Sequence, residues 1–262
     1  MLGAIIGDIV GSLYEFRSDK TKSFPLFSPG CSPTDDSLMT MAVGVTCVSA
    51  DIHNESEFKH TLALMMREIG RQYPDAGYGD RFFDWLMSDT MGPYGSYGNG
   101  SAMRVSPVAY VAEMLDEAEK LAKWSAEVTH DHPEGIKGAQ AVAAAIYLAR
   151  EGHDKDEIRA YIERKYYDMD FTLNEIRPSY SFDVTCMGSV PQAIMCFLEA
   201  EDFEDAVRNA ISLGGDGDTI GAMAGAIAEA YFGIPDELQE EAMEHMDDTE
   251  KDYYFEYADQ LY

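Results

Sequence analysis

The sequence is short of positive charge. Its 19 lysines and arginines stand against 48 aspartates and glutamates, a formal net charge of −29 over 262 residues. Such a field repels phosphate backbones and anionic lipid surfaces, so neither nucleic acid nor a membrane is expected as a partner. Cysteine is also scarce. Cys31, Cys47, Cys186 and Cys196 form no CxxC pair and lie in or beside apolar segments. That pattern fits reduced structural thiols in a cytoplasmic protein, not a disulfide framework. No stretch approaches 18 uninterrupted apolar residues, so no membrane-spanning helix is expected. The opening MLGAIIGDIVGSLYEF lacks a basic lead and is broken by Asp8, so it does not read as a signal peptide. Strand-like alternation is nearly missing, as are repeats, low-complexity tracts and Pro/Ser linkers.

What remains is helical periodicity. Leu38, Ala42, Val45 and Val48 recur at three or four residues, as do Leu62, Met65, Met66 and Ile69. Val108, Val111, Ala112 and Leu115 repeat in the same way, followed by Ala139, Val142, Ala143 and Ile146. Pro74, Pro107, Pro133, Pro191 and Pro235 fall where helices start or break. With 46% hydrophobic and 26% charged residues, the chain has the composition of an ordinary globular protein. We expect a single compact all-α domain over residues 1–262, present as a monomer. Residues 236–262 carry eleven acids against Lys251 alone and read as a solvated, acidic helical tail. Ala- and Gly-rich segments at 138–149 and 221–230 suit helices that approach closely at the centre of a bundle.

Glycine and polar residues concentrate in three places: 28–36, 92–101 and 213–219. In the last, Gly214-Gly215-Asp216-Gly217-Asp218-Thr219 leads straight into an apolar helix. A buried carboxylate is costly unless it is paired, protonated or bound to a metal. Asp218 or Thr219 could simply cap the helix, but one cap is enough and Asp216 is then unexplained. The Asp154/Asp156 and Asp168/Asp170 pairs sit in charged surroundings and read as solvated. Thr34-Asp35-Asp36 repeats the chemistry at a second helix start. Two carboxylates and a threonine at each of two helix mouths offer oxygen ligands suited to Mg²⁺ or Mn²⁺ more than to Zn²⁺. Together they could hold two metals.

The Gly92-Pro93-Tyr94-Gly95-Ser96-Tyr97-Gly98-Asn99-Gly100 loop has the glycine content of a dinucleotide fingerprint, but no βαβ unit surrounds it. Its backbone N–H groups can still meet phosphates, and Tyr94 and Tyr97 can stack on a base. In Thr129-His130-Asp131-His132-Pro133 no further ligand completes a zinc tetrahedron. These histidines either hydrogen-bond near a ligand or mark a helix start.

Taken together, these segments resemble the ADP-ribosylglycohydrolase family. The matching elements are Gly7-Asp8-Ile9-Val10-Gly11-Ser12 with Glu15, Thr34-Asp35-Asp36, Gly95 to Arg104, Thr129 to Pro133, and Gly214 to Thr219. They occur in family order and span most of the chain. The resemblance implies a single all-α bundle, orthogonal in arrangement, with a binuclear Mg²⁺ or Mn²⁺ centre beneath an ADP-ribose cleft. It implies Thr34, Asp35, Asp36, Asp216, Asp218 and Thr219 as metal ligands. Gly95, Ser96, Tyr97 and Gly98 would hold the diphosphate and adenosine with His132 beside them, and Glu15 would be the catalytic acid near the metals. Asn99 and Arg104 would be structural. The implied reaction is metal-dependent hydrolysis of the bond at the anomeric carbon of the distal ribose, releasing ADP-ribose from a modified protein side chain. Arginine is preferred to serine as that side chain. The alternatives are another ADP-ribose conjugate (O-acetyl-ADP-ribose, ADP-ribose polymer or ADP-ribosylated nucleic acid) or a non-catalytic, crystallin-like binder.

Overall fold

A computed structural model describes residues 1–15, 17 and 20–262, and among them the regular structure is helical apart from one isolated bridge between Gly98 and Thr185. The helices in chain order are α1 (Leu2–Gly11), α2 (Asp35–Ser49), α3 (Glu55–Gln72), α4 (Asp80–Met87), α5 (Gly100–Met103), α6 (Ser106–Val111), α7 (Leu115–Glu127) and α8 (Pro133–Arg150). The remainder are α9 (Lys155–Lys165), α10 (Leu173–Ile176), α11 (Cys186–Leu198), α12 (Phe203–Ser212), α13 (Gly217–Phe232), α14 (Asp236–Glu244) and α15 (Asp248–Leu261). No helix is long and apolar enough to cross a membrane.

Local chemistry sets many of the starts. Asn54, Asp154, Thr185, Asp202 and Asp247 each accept a hydrogen bond from a backbone N–H of the first helical turn. Pro133 occupies the first position of α8, where its missing N–H costs nothing. Pro191 stands inside a helix, α11. The expected continuity through Val108–Leu115 is broken: α6 stops at Val111 and α7 begins at Leu115. Arg150 supplies the reason. Its guanidinium donates to the carbonyls of Ala109, Tyr110 and Ala112, satisfying groups that the ended helix leaves open.

At the centre, α1 runs antiparallel along α13 with almost no side chain between them. Gly3 faces Gly225, Gly7 faces Gly221, and Gly11 faces the start of α13 at Gly217 and Asp218. A Cβ on Gly3 would lie 2.3 Å from the carbonyl oxygen of Gly225, and one on Gly11 would lie 2.4 Å from the Cα of Asp218. Only glycine permits this approach. The two stripes, each with a four-residue spacing, bring the C-terminal end of α1 against the N-terminal end of α13. α8, α11 and α12 pack on α13, while α2 packs on α1, α3 and α15.

The acidic C-terminal segment is helical as expected, but it is not a solvated tail. Ala242, Met246, Tyr254, Tyr257 and Ala258 are buried, and the Tyr257 ring lies against Gly44 of α2. Apart from Glu250, which is buried, the acids of α14 and α15 face outward. Their number hid an apolar stripe at helical spacing.

Candidate active site

Where α1 ends and α13 begins, four segments converge. Asp8 projects from α1, Glu15 follows that helix, Asp35 and Asp36 open α2, and Asp216, Asp218 and Thr219 open α13. One oxygen each of Asp8, Asp36 and Asp218 lies within 4.8 Å of the others, and Glu15, Asp216 and Asp218 form a second such group. Asp218 belongs to both and stands between them.

The acids differ in how the chain satisfies them. Asp8 accepts from the Thr34 N–H (2.8 Å), the Thr34 hydroxyl (2.6 Å) and the Ser37 N–H (3.0 Å), and also from the Ser37 hydroxyl. Its lone pairs are taken, so Asp8 holds the first turn of α2 in place. The Thr34 hydroxyl also caps α2 through the Asp36 N–H. Asp36 is 2% exposed, and its Oδ2 accepts from the Thr219 hydroxyl at 3.2 Å, but its Oδ1 has no partner at all. Asp216 occupies the cap position of α13 without making a cap hydrogen bond. Instead, its Oδ2 accepts from the Asn99 side chain at 2.7 Å. Capping therefore does not account for this carboxylate.

Burial is the first cause of the electrostatic state, and like charge is the second. Burial pushes the Asp35 carboxyl well above the usual range, and Asp8, Asp216 and Glu15 push it further. Asp36 and Asp218 are raised well above the usual range for the same two reasons. Glu15, half-buried, is lifted to about 7 by burial and then by Asp216 and Asp8. No cationic side chain hydrogen-bonds to these acids among the described residues. An unneutralised set of this kind is unfavourable, and the orphaned Oδ1 of Asp36 is an open position for a cation. Hard divalent ions take such oxygen sets, so the residues present fit a metal centre.

Above this floor opens a cavity of about 430 Å³ lined by Glu15, Asp35, Asp36, Asp216, Asp218 and Thr219 from below. Gly77, Gly79, Asp80, Arg81 and Phe82 form one wall, Ser96, Gly98, Asn99 and Gly100 another, and Phe182 with Val184 the rim. The volume suits a small molecule. The Asp35 N–H donates to the carbonyl of Ala76, which fastens the first wall to the turn that opens α2. Lys20 fastens the opposite side by donating to the carbonyls of Tyr180, Leu213 and Gly214.

The glycine loop is held open by the segment that follows α7. Tyr94 N–H donates to the Thr129 carbonyl (3.1 Å), and Gly95, at φ 68°, donates to the Asp131 carboxylate (2.6 Å). The Gly98 N–H is taken by the Ser96 hydroxyl at 3.1 Å. Among the described residues no acceptor meets the N–H groups of Ser96 and Tyr97, which are left for a ligand. Tyr97 is 48% exposed beside the mouth. His132 caps α8, its Nδ1 accepting from the Glu134 N–H, and meets the Tyr97 ring edge-on at 5.3 Å between centroids. It is His130, not His132, that lines the cavity. Thr34, Gly95 and Tyr97 also lie outside the lining.

Several contributors were not singled out in the sequence as site residues: Asp8, His130, Phe182 and Val184. Asp8 had a signal, an acid inside an apolar helix. Phe182 and Val184 had none, since the 177–185 loop reaches the cavity only through tertiary packing.

Comparison with known proteins gives a consistent result. The sequence profile described as ADP-ribosylglycohydrolase matches residues 1–262. "ADP-ribosylhydrolase ARH3" of Bos taurus is 28% identical over 311 aligned residues, covering 89% of this chain and 84% of that one. "ADP-ribosylarginine hydrolase Tri1" of Pseudomonas putida is 27% identical, covering 89% and 70% respectively. A solved structure, "ADP-ribosylglycohydrolase-related protein complex", superposes with a TM-score of 0.67 over 93% of each chain at 22% identity. That likeness concerns the fold.

Proposed function

Because the chain belongs to the ADP-ribosylglycohydrolase family, we propose that it removes ADP-ribose from modified protein side chains by metal-dependent hydrolysis at the anomeric carbon of the distal ribose. The observation that carries this reading is the carboxylate floor: buried acids from two helix starts, one oxygen of Asp36 without a partner, directly beneath a cavity of nucleotide-fragment size.

Asp35, Asp36, Asp216 and Asp218, with Thr34 and Thr219, would hold two divalent cations, Mg²⁺ or Mn²⁺. When bound, such a pair supplies Lewis acidity and orientation of sugar hydroxyls and water at neutral pH. The rest falls to the chain. Ser96 and Tyr97 offer their free N–H groups to diphosphate oxygens, Gly95 and Gly98 shape the turn that presents them, and His132 steadies the Tyr97 ring for the adenosine. Tyr97 itself supplies an aromatic face. Cleavage proceeds through an oxocarbenium-like state. Glu15, half-buried beside the carboxylate floor, can orient the attacking water and exchange a proton with it on its carboxylate. Asn99 fixes the rotamer of Asp216 through its 2.7 Å hydrogen bond.

We favour arginine over serine as the modified residue. A guanidinium is a cation, the chain carries a net charge of −29, and the acid Asp80 stands exposed at the cavity wall. One relative bears the name ADP-ribosylarginine hydrolase.

Peptides bearing a single ADP-ribose on arginine or on serine test the reading. ADP-ribose should appear from the arginine peptide in Mg²⁺, stop in EDTA, and resume when metal is returned. Release from neither peptide would end the proposal, and release undiminished by EDTA would end its metal part. Faster release from serine would reverse the side-chain preference.

A further inference from the structure

Among the residues lining the cavity is a buried cation that the carboxylate floor does not use. Arg104, at the end of α5, is 0% exposed. One of its nitrogens, Nη2, donates to the Ser125 carbonyl (3.0 Å) and to the Thr129 hydroxyl (2.9 Å), while Nε and Nη1 have no partner. The Thr129 oxygen makes one more contact, 2.7 Å from Nδ1 of His130. His130 is buried and faces the cavity, and its Nε2 meets no hydrogen-bond partner among the described residues.

Donor and acceptor roles along this chain are forced. A guanidinium can only donate, so the Thr129 oxygen accepts from Arg104. The hydroxyl proton of Thr129 then has one acceptor within reach, Nδ1 of His130. A proton on Nδ1 would leave that hydroxyl hydrogen buried without an acceptor, which is unfavourable. Nδ1 is therefore bare and the proton of the neutral ring sits on Nε2. Burial, and then the charge of Arg104, keep the imidazole neutral by lowering its pKa well below the usual value.

The placement of Nε2 gives this tautomer a consequence. Nε2 lies beside the glycine loop, where a Cβ on Gly100 would come within 3.1 Å of it and one on Gly98 within 3.6 Å. A side chain at Gly100 would crowd the atom, whereas one at Gly98 would only touch it. We propose that Arg104 and Thr129 form a relay that locks His130 as a neutral Nε2–H donor facing the cavity, so that both are positioning residues for an acceptor oxygen of the bound ligand. A neutral donor fixed in this way recognises an oxygen without adding or losing charge as the pH crosses neutrality. The inference rests on the proposed function only for the ligand, ADP-ribose. The tautomer stands independently of it.

The test has two readouts. Long-range ¹⁵N–¹H correlation spectra of the imidazole, with the His130 signals assigned by comparison with His130→Gln, report the tautomer in the unmodified protein without any ligand. The Nε2–H pattern is expected, and the Nδ1–H pattern would overturn the relay. Thr129→Val keeps the shape and removes the hydroxyl, whereas Thr129→Ser keeps it. Valine should shift the tautomer population and weaken ADP-ribose binding about tenfold, the scale of one hydrogen bond, with kcat changed much less. Serine should restore both. An unaltered tautomer and affinity in Thr129→Val would overturn the proposal. Failure of the unmodified protein to bind ADP-ribose would instead strike the proposed function, and the spectrum would still decide the relay.

Discussion

A side-chain carbon on Gly7 would lie 2.0 Å from the carbonyl oxygen of Gly221. That single approach joins fold to site. Asp8 follows Gly7 and Asp218 stands three residues before Gly221, so the closeness of the two backbones sets the separation of the two acids. Gly7→Ala must push α1 and α13 apart, because the obstacle is backbone and cannot rotate away. We expect a loss of at least about 3 kcal/mol, the upper range for overpacking, or roughly 10 °C in Tm for a chain of this size. Thermal denaturation in Mg²⁺ measures it. An unchanged Tm would mean that the helices adjust without cost.

Asp8 and Asp36 are both buried acids of the same cluster, yet their removal should act with opposite sign on the metal-free protein. Asp8→Ala orphans four donors at the first turn of α2 and should destabilise by several kcal/mol. Asp36→Ala removes a like charge from an unneutralised set, so the chelated protein should melt no lower than the unaltered one. The same variant should lose most of the stabilisation that Mg²⁺ gives. Equal destabilisation by both substitutions in EDTA would show that Asp36 is held by protein groups after all.

Stability should depend on pH in a way that metal reverses. Asp35, Asp36, Asp218 and Glu15 have folded pKa values above their unfolded ones. The folded apoprotein then binds more protons than the unfolded chain, and stability falls as pH rises through that window. His130, lowered, works the other way, but only below its unfolded value of about 6.5. Between pH 6.5 and 8 the buried N-terminus, also lowered, opposes the carboxylates, while Glu250, lifted to about 7, acts with them. The raised acids outnumber the one amine, so the chelated protein should melt higher at pH 6.5. In excess Mg²⁺ the gap should close or invert, since cations compete with protons for the same oxygens and stabilise by mass action. A chelated protein that melts higher at pH 8 would contradict this.

Glu15→Gln keeps size and removes charge. We expect kcat to fall about 10²-fold or more, the scale of a positioned acid or base, with ADP-ribose affinity little changed. Calorimetry and single-turnover kinetics on one modified peptide separate the two effects. Full turnover would return Glu15 to an ordinary half-buried acid.

Much of this arrangement was legible in the sequence, because its signals are local. The Asp-rich starts of α2 and α13 announce themselves by placing acids before apolar helices, and the Ala- and Gly-rich run at 221–230 marks a helix that another meets closely. The matching glycine stripe of α1 showed only in the fold. What escaped depends on tertiary neighbours. The helices after Pro235 read as solvated because eleven acids outweighed Tyr254 and Tyr257, whose burial α2 decides. His130 and His132 are two apart and alike in sequence. Only the turn before α8 makes one a cap and sends the other into the cavity. Asp8 could be seen as an anomaly in an apolar run, but its four donors lie on a segment more than twenty residues away.

If the buried carboxylates of α2 and α13 hold cations, anomalous scattering from a crystal grown in Mn²⁺ will locate them. Two peaks roughly 3.5–4 Å apart are expected, with oxygens of Asp36, Asp216 and Asp218 as ligands and the free Oδ1 of Asp36 engaged. A site without anomalous density at saturating Mn²⁺, its carboxylates bonded only to protein groups, would contradict cation binding there.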